Sequence, residues 1–194
     1  EGEVNSIEEI RVDDKVVTFD GALTHGTVRE VDSSDSNFYK DSTSHIQIQA
    51  FLGQDDQVAS SVLTPLSSWG TNHRLRGCCY LALRFKWNQD AFTGIPKVQA
   101  KIKGKKVVSY NSSLVAQASA HSTNPAWCLL DYLTNERYGK GIATSEIDLQ
   151  SFYDASVVCE TQVEPYSGAS NINIFDCNTA LDTSRSLIDN LREL

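Results

Sequence analysis

The sequence predicts an α+β fold, with a β-rich N-terminal part of antiparallel, barrel-like strands over residues 1–110 and a helical α/β part over residues 111–194. Three observations predict it. Apolar residues in the first half alternate or are β-branched, the pattern of half-buried strands. Apolar spacings of three and four, each preceded by a residue suited to capping, come after residue 120. Between the two, residues 109–122 form a serine- and alanine-rich stretch with few anchoring side chains. With 194 residues, 40% apolar and 22% charged, the chain lies in the ordinary globular range and can bury one or two cores.

Taken in order, Glu9-Ile10-Arg11-Val12 and Lys15 to Phe19 read as strands, and Asp13-Asp14 between them suits a tight hairpin turn. Asp32-Ser33-Ser34-Asp35-Ser36-Asn37 is a polar loop with some likeness to calcium ligands. It lacks the glycine and terminal glutamate of an EF-hand loop, so a solvated loop is expected. His45 to Phe51 sets Ile46, Ile48 and Ala50 on one face against His45, Gln47 and Gln49 on the other. From Cys78 to Trp87, one face carries Cys79, Leu81, Leu83, Phe85 and Trp87, all expected in the core. After Gly94-Ile95-Pro96, the residues from Lys97 to Ser109 read as a lysine-rich hairpin pivoting at Gly104.

The helical part opens with Asn124 as cap and Pro125 at the first helical position, where a missing amide hydrogen costs nothing. Ala126, Leu129, Leu130 and Leu133 then form an apolar stripe, ending near Tyr138-Gly139 and Gly141. Asp148 is expected to cap a second helix burying Leu149, Phe152, Ala155 and Cys159. Ile172 to Cys177 reads as a short strand. Thr183 or Ser184 opens a last helix with Leu187, Ile188, Leu191 and Leu194 on one side. The unfinished apolar face, the start at Glu1 and the lack of methionine suggest a piece of a longer chain.

Charge is unevenly spread. Residues 1–70 hold 13 acidic against 4 basic side chains, residues 71–110 hold 1 against 9, and residues 111–194 hold 11 against 4. The net charge of −8 excludes a wholly basic nucleic-acid coat. No apolar run approaches the roughly 20 residues of a bilayer span. Neither direct nucleic-acid binding nor membrane binding is indicated. A basic middle between acidic flanks either neutralises itself or meets an acidic surface on a neighbour. Arg74, Arg76, Lys97, Lys101, Lys103, Lys105 and Lys106 are therefore the candidate subunit interface, with lysines that merely protect a strand edge as the competing explanation.

Catalytic patterns are mostly absent. No Gly-x-Ser-x-Gly elbow and no glycine-rich phosphate loop occurs, and His25, His45, His73 and His121 are scattered without metal-binding spacing. The acidic pairs Asp13/Asp14 and Asp55/Asp56 are sequence neighbours whose side chains diverge on a strand, unlike converging glycosidase carboxylates. The five cysteines are odd in number and embedded in apolar stretches, fitting small core side chains in a reducing compartment better than a disulfide framework. No spacing suits zinc, so no metal, cofactor or catalytic residue is assigned.

The order of short motifs is more specific. Glu1-Gly2-Glu3-Val4, Ile7-Glu8-Glu9-Ile10, Leu52-Gly53-Gln54-Asp55-Asp56-Gln57 and His73-Arg74-Leu75-Arg76-Gly77 are followed by Gly94-Ile95-Pro96 and Lys103-Gly104-Lys105-Lys106-Val107. Then come Asn124-Pro125-Ala126, Asp131-Tyr132-Leu133-Thr134, Tyr138-Gly139-Lys140-Gly141, Cys177-Asn178 and Leu181 to Ser186. This series resembles the tail-tip attachment protein J, or baseplate hub, family of long-tailed bacteriophages, as an N-terminal hub fragment. It departs from the family's pattern in the serine-rich residues 109–119. The resemblance implies a non-enzymatic structural hub that closes the tail tube and supports host attachment and genome delivery. It also implies a homotrimer in the full-length protein, contacts with the distal tail ring and tape-measure proteins, and a host receptor bound by parts outside this fragment. The expected location is the virion tail tip, after assembly in the bacterial host cytoplasm. Two other classes stay open: a carbohydrate- or receptor-binding module using exposed aromatics such as Trp69, Trp87 and Trp127, and a tail-associated glycan hydrolase.

Overall fold

The computed structural model describes residues 2–66, 68–182 and 184–192, and it is a β-dominated α+β fold. The chain divides into two compact units, Glu1–Lys105 and Lys106–Leu194.

In the first unit, β1 (Val4–Val12) turns into β2 (Lys15–Val16) with Arg11 opposite Val16 and Val12 opposite Lys15. Asp13 and Asp14 take φ of 49° and 63°, the doubly left-handed pair whose twist matches the flanking strands. Asp13 is further held at Lys97: its amide donates to the Lys97 carbonyl at 2.9 Å, and its carboxylate accepts from the Lys97 amide at 2.8 Å. β3 (Val28–Glu30), β6 (Ile46–Leu52) and β7 (Cys79–Phe85) form an antiparallel three-stranded sheet with β6 central. Between β3 and β6, β4 (Tyr39–Lys40) and β5 (Thr43–Ser44) make a small hairpin.

The lysine-rich stretch is not a hairpin. β8 (Val98–Val107) runs straight through Gly104 and pairs antiparallel with β1 from Val98↔Val12 to Lys105↔Val4. A glycine inside a strand costs about 1 kcal/mol or less in propensity, which the continuous ladder offered by nine residues of β1 outweighs. A register shift between Ile7 and Glu9 is the one irregularity in that pairing.

Ile7, Ile10 and Val12 from β1 meet Ile46, Ile48 and Ala50 from β6, so both sheets of this unit share one core, completed by Val17, Val31, Phe38 and Phe92. Cys79, Leu81, Leu83 and Phe85 pack against it as expected, but Trp87 is 64% exposed and only borders it, its ring 6.3 Å from that of Phe92. It lies beyond the last ladder pair, Ile46↔Phe85, and Phe92 fills the core there, its ring 5.6 Å from Phe85 and 5.8 Å from Phe38. The opposite face of β6 is also buried. Gln49 donates to the Gly26 carbonyl at 2.7 Å and accepts from the Ser60 hydroxyl at 2.7 Å, while Phe51 stacks on Tyr80 at 4.6 Å.

In the second unit, β9 (Ala120–His121) pairs with Lys106 and Val107 at the end of β8. α1 (Pro125–Thr134) starts as expected, with the Asn124 side chain accepting from the Ala126 amide at 3.0 Å. Its buried side chains are Ala126, Trp127, Leu130 and Tyr132, while Leu129 and Leu133 are only half-buried. Trp127 and Leu130 form a core with Val107, joined by Tyr110, Ile147, Leu149, Phe152 and Tyr153. The chain folds back tightly after α1: a Cβ on Gly139 would fall 1.9 Å from the Tyr132 carbonyl oxygen, so only glycine fits.

α2 (Leu149–Cys159) is capped by Asp148, which accepts from the amides of Gln150 and Ser151 at 3.1 and 3.3 Å. Its inward face is Leu149, Phe152, Tyr153 and Ser156; Ala155 is exposed, one step round the helix from the expected stripe. The expected strand at Ile172 to Cys177 shrinks to β11 (Ile172–Asn173), paired with β10 (Gln162–Val163). α3 (Leu187–Leu191) is capped by Ser186, not by Thr183 or Ser184. Thr183, Leu194 and the side chains of Leu187 and Leu191 lie outside the described residues. Ile188 is 56% exposed, and the helix is anchored instead through buried Asn190, whose amide donates to the Tyr132 hydroxyl and the Asp182 carbonyl, both at 2.9 Å.

Candidate functional site

The basic residues sort along β8 and the loop that precedes β7. Lys97 sits just before the start of β8, beside the Asp13-Asp14 turn. Lys101 and Lys103, two residues apart and so on the same face of the strand, both reach Glu8 of β1, at 3.6 and 3.2 Å. The hydrogen bond from Lys103 holds the Glu8 carboxyl below the usual carboxylate range; desolvation opposes it as the next effect in size, and the charges of both lysines add to the lowering. Lys101 and Lys103, among the seven candidate charges, are thus compensated within the chain.

Lys105 lays its aliphatic stem over Gly2, within 2.6 Å of where a Cβ there would stand. The Gly2 amide donates to the Gly77 carbonyl at 2.8 Å, so the end of β8 meets the loop just past Arg76. Arg76 is exposed, and Arg74 donates through Nε to the Thr71 carbonyl at 3.1 Å. Lys106, opposite His121, belongs to the second unit. On the β1 and β8 face, Glu9, Arg11, Gln99, Ala100 and Lys101 line a shallow, open hollow of about 350 Å³ that mixes both charges.

Two polar side chains with no structural role assigned from the sequence organise loops of the first unit. Gln57, 1% exposed, donates to the carbonyls of Arg74 at 2.9 Å, Leu75, and Cys78 at 3.1 Å, and accepts from the Gly53 amide at 3.2 Å. It thereby fixes the Arg74 to Cys78 loop, in which Leu75 takes φ of 48°. Asp35, in the loop read as solvated, is buried. Its carboxylate accepts from the amides of Thr18 at 2.8 Å, Asn37 at 2.9 Å and Phe38 at 3.2 Å. Those are the bonds of a structural carboxylate. Among the described residues, no group of three or more His, Cys, Asp or Glu is placed to hold a metal ion. The pairing of Glu8 with lysines was legible in principle, because an acidic strand opposite a basic one is the favoured cross-strand arrangement.

No family model matches the sequence. A search of curated proteins finds the baseplate hub protein pb3 of Escherichia phage T5, 30% identical over 185 aligned positions, which cover 79% of this chain and 19% of that protein. This chain is related in sequence to a phage baseplate hub protein. It spans about a fifth of the length of that relative. What the ordered motifs and this relative have in common is the phage tail and its baseplate, a coarser class than the attachment-protein family.

Proposed function

We propose that this chain is a structural, non-catalytic segment of a baseplate hub at the tip of a phage tail, of the attachment-protein type. The observation that carries the reading is the similarity to a baseplate hub protein across 79% of the chain. The ordered motifs running from Glu1 to Ser186 support it. In this role the full-length protein forms a homotrimer that closes the tail tube and contacts the distal ring and tape-measure proteins. It takes its place during assembly in the bacterial cytoplasm and leaves the cell in the virion tail tip. Host attachment and genome delivery depend on the hub, with the receptor bound by other parts of the protein.

The exposed basic residues supply a subunit contact in this reading. Arg76 and Lys97 carry the most weight, since Lys101 and Lys103 already face Glu8. A contact of this kind sets register and association rate more than affinity.

Labelling virions with antibody raised against residues 1–194 and imaging them by electron microscopy tests the location. Label at the distal end of the tail is expected, together with unfinished tails when the gene carries a nonsense mutation. Complete, infective particles assembled without the protein would overturn the proposal.

A further inference from the structure

The segment leading out of β11 is docked against the residues just before α1. The Cys177 amide donates to the Thr123 carbonyl at 2.6 Å, and the Thr123 hydroxyl donates to the Asp176 carboxylate at 2.6 Å. Cys128, in the first turn of α1, lies over the same place, its thiol 3.6 Å from the Ser122 carbonyl. The Cys128 and Cys177 side chains are close enough to interact electrostatically, and both residues are half-buried. Two backbone segments distant in sequence are therefore pinned together by bonds independent of the sulfurs, with one thiol contributed by each.

We propose that Cys128 and Cys177 form a disulfide-bonding pair, reduced when the chain folds and bridged on exposure to a low-molecular-weight disulfide such as oxidised glutathione. The sequence alone favoured five inert core thiols; the fold selects these two because it fixes their backbones before any sulfur chemistry. The prior docking removes most of the geometric obstacle that ordinarily keeps two cysteines apart. Side-chain rotation then brings the sulfurs from contact to bonding distance.

The order of events follows from the environment. Burial, the neighbouring Cys177 sulfur and the Asp131 carboxylate push the Cys128 thiol up to about 12, so it stays protonated while Cys177 is free. Cys128 is therefore the poorer first nucleophile, and attack by Cys177 on oxidised glutathione forms a mixed disulfide and releases one glutathione thiolate. Cys128 then gives up its proton, attacks the Cys177 sulfur and expels the second glutathione. In balance, two protein thiols and one oxidised glutathione become one protein disulfide and two reduced glutathione molecules. The product ties the segment carrying β10 and β11 to the first turn of α1. The occasion rests on the proposed function: a virion protein folds in a reducing cytoplasm and works outside the cell.

The test is to treat the purified 194-residue chain with oxidised glutathione, then measure intact mass, thiol content and a non-reduced peptide map. The expected result is a mass lower by two hydrogen atoms, a fall from five titratable thiols to three, and one linked peptide pair containing Cys128 and Cys177. Cys177→Ser should abolish the link and leave Cys128 unmodified. The proposal is overturned by a lasting glutathione adduct at either position, by a link through Cys159, or by no change in thiol content. None of these results bears on the baseplate role, which the virion labelling reads separately.

Discussion

At the scale of single residues, the side chains that matter most to local geometry are polar and buried. Gln57 illustrates this: one amide group serves three carbonyls and one amide of a loop that contains a left-handed leucine. Gln57→Ala leaves those groups facing a void, and should lower the unfolding free energy by about 2–3 kcal/mol in urea denaturation. Gln57→Glu should not restore stability, because a carboxylate accepts but cannot donate to the three carbonyls. A loss under about 0.5 kcal/mol for Gln57→Ala would show that the loop holds itself. Sequence reasoning placed this residue in a motif but assigned it no structural role, because a glutamine in a polar stretch carries no periodic signal. Its role exists only once Gly53 and the Arg74 to Cys78 loop are side by side.

At the scale of elements, caps and turns were legible because they depend on residues one to three positions apart. Asn124 and Asp148 begin their helices as their chemistry requires, and the Asp13-Asp14 turn forms where two strand-like runs flank it. Which face of each helix is buried was less legible. Leu130 is 3% exposed within the Val107 and Trp127 core, whereas Leu133 is only half-buried, although both lie on the stripe read from spacing. Leu130→Ala should therefore cost on the order of 3 kcal/mol, and Leu133→Ala clearly less, as measured by parallel thermal or urea melts. Equal costs would return the buried face to the stripe that spacing alone predicts. Tyr132 and Trp127 displace that stripe because large aromatic side chains remove more apolar area from water than a leucine does.

At the scale of the whole molecule, the division of charge has a partly internal resolution. Glu8 takes up Lys101 and Lys103, so reversing those lysines would place like charges across β1 and β8 and confound folding with assembly. The cleaner variant is Arg76→Glu with Lys97→Glu. In the full-length protein it should reduce the trimer fraction seen by sedimentation velocity most at low salt. The deficit should shrink as ionic strength rises and screening shortens to about 8 Å. Monomer stability should change by less than about 0.5 kcal/mol. An unchanged trimer population at every salt concentration would remove the basic residues from the assembly surface.

By itself the sequence determined the β-dominated α+β class, the Asp13-Asp14 hairpin, the β6 and β7 strands and the starts of α1 and α2. Each of these is written in short-range chemistry: alternation, capping oxygens and a proline at the first helical position. The tertiary structure alone decided that β8 runs through Gly104, because β1 lies alongside it, and that Trp87 stays outside while Phe92 fills the core. It likewise decided that Gln49, Gln57, Asp35 and Asn190 are buried, and that Cys128 meets Cys177. These outcomes turn on which distant segments become neighbours, and burial or pairing has no energy until the neighbour is in place.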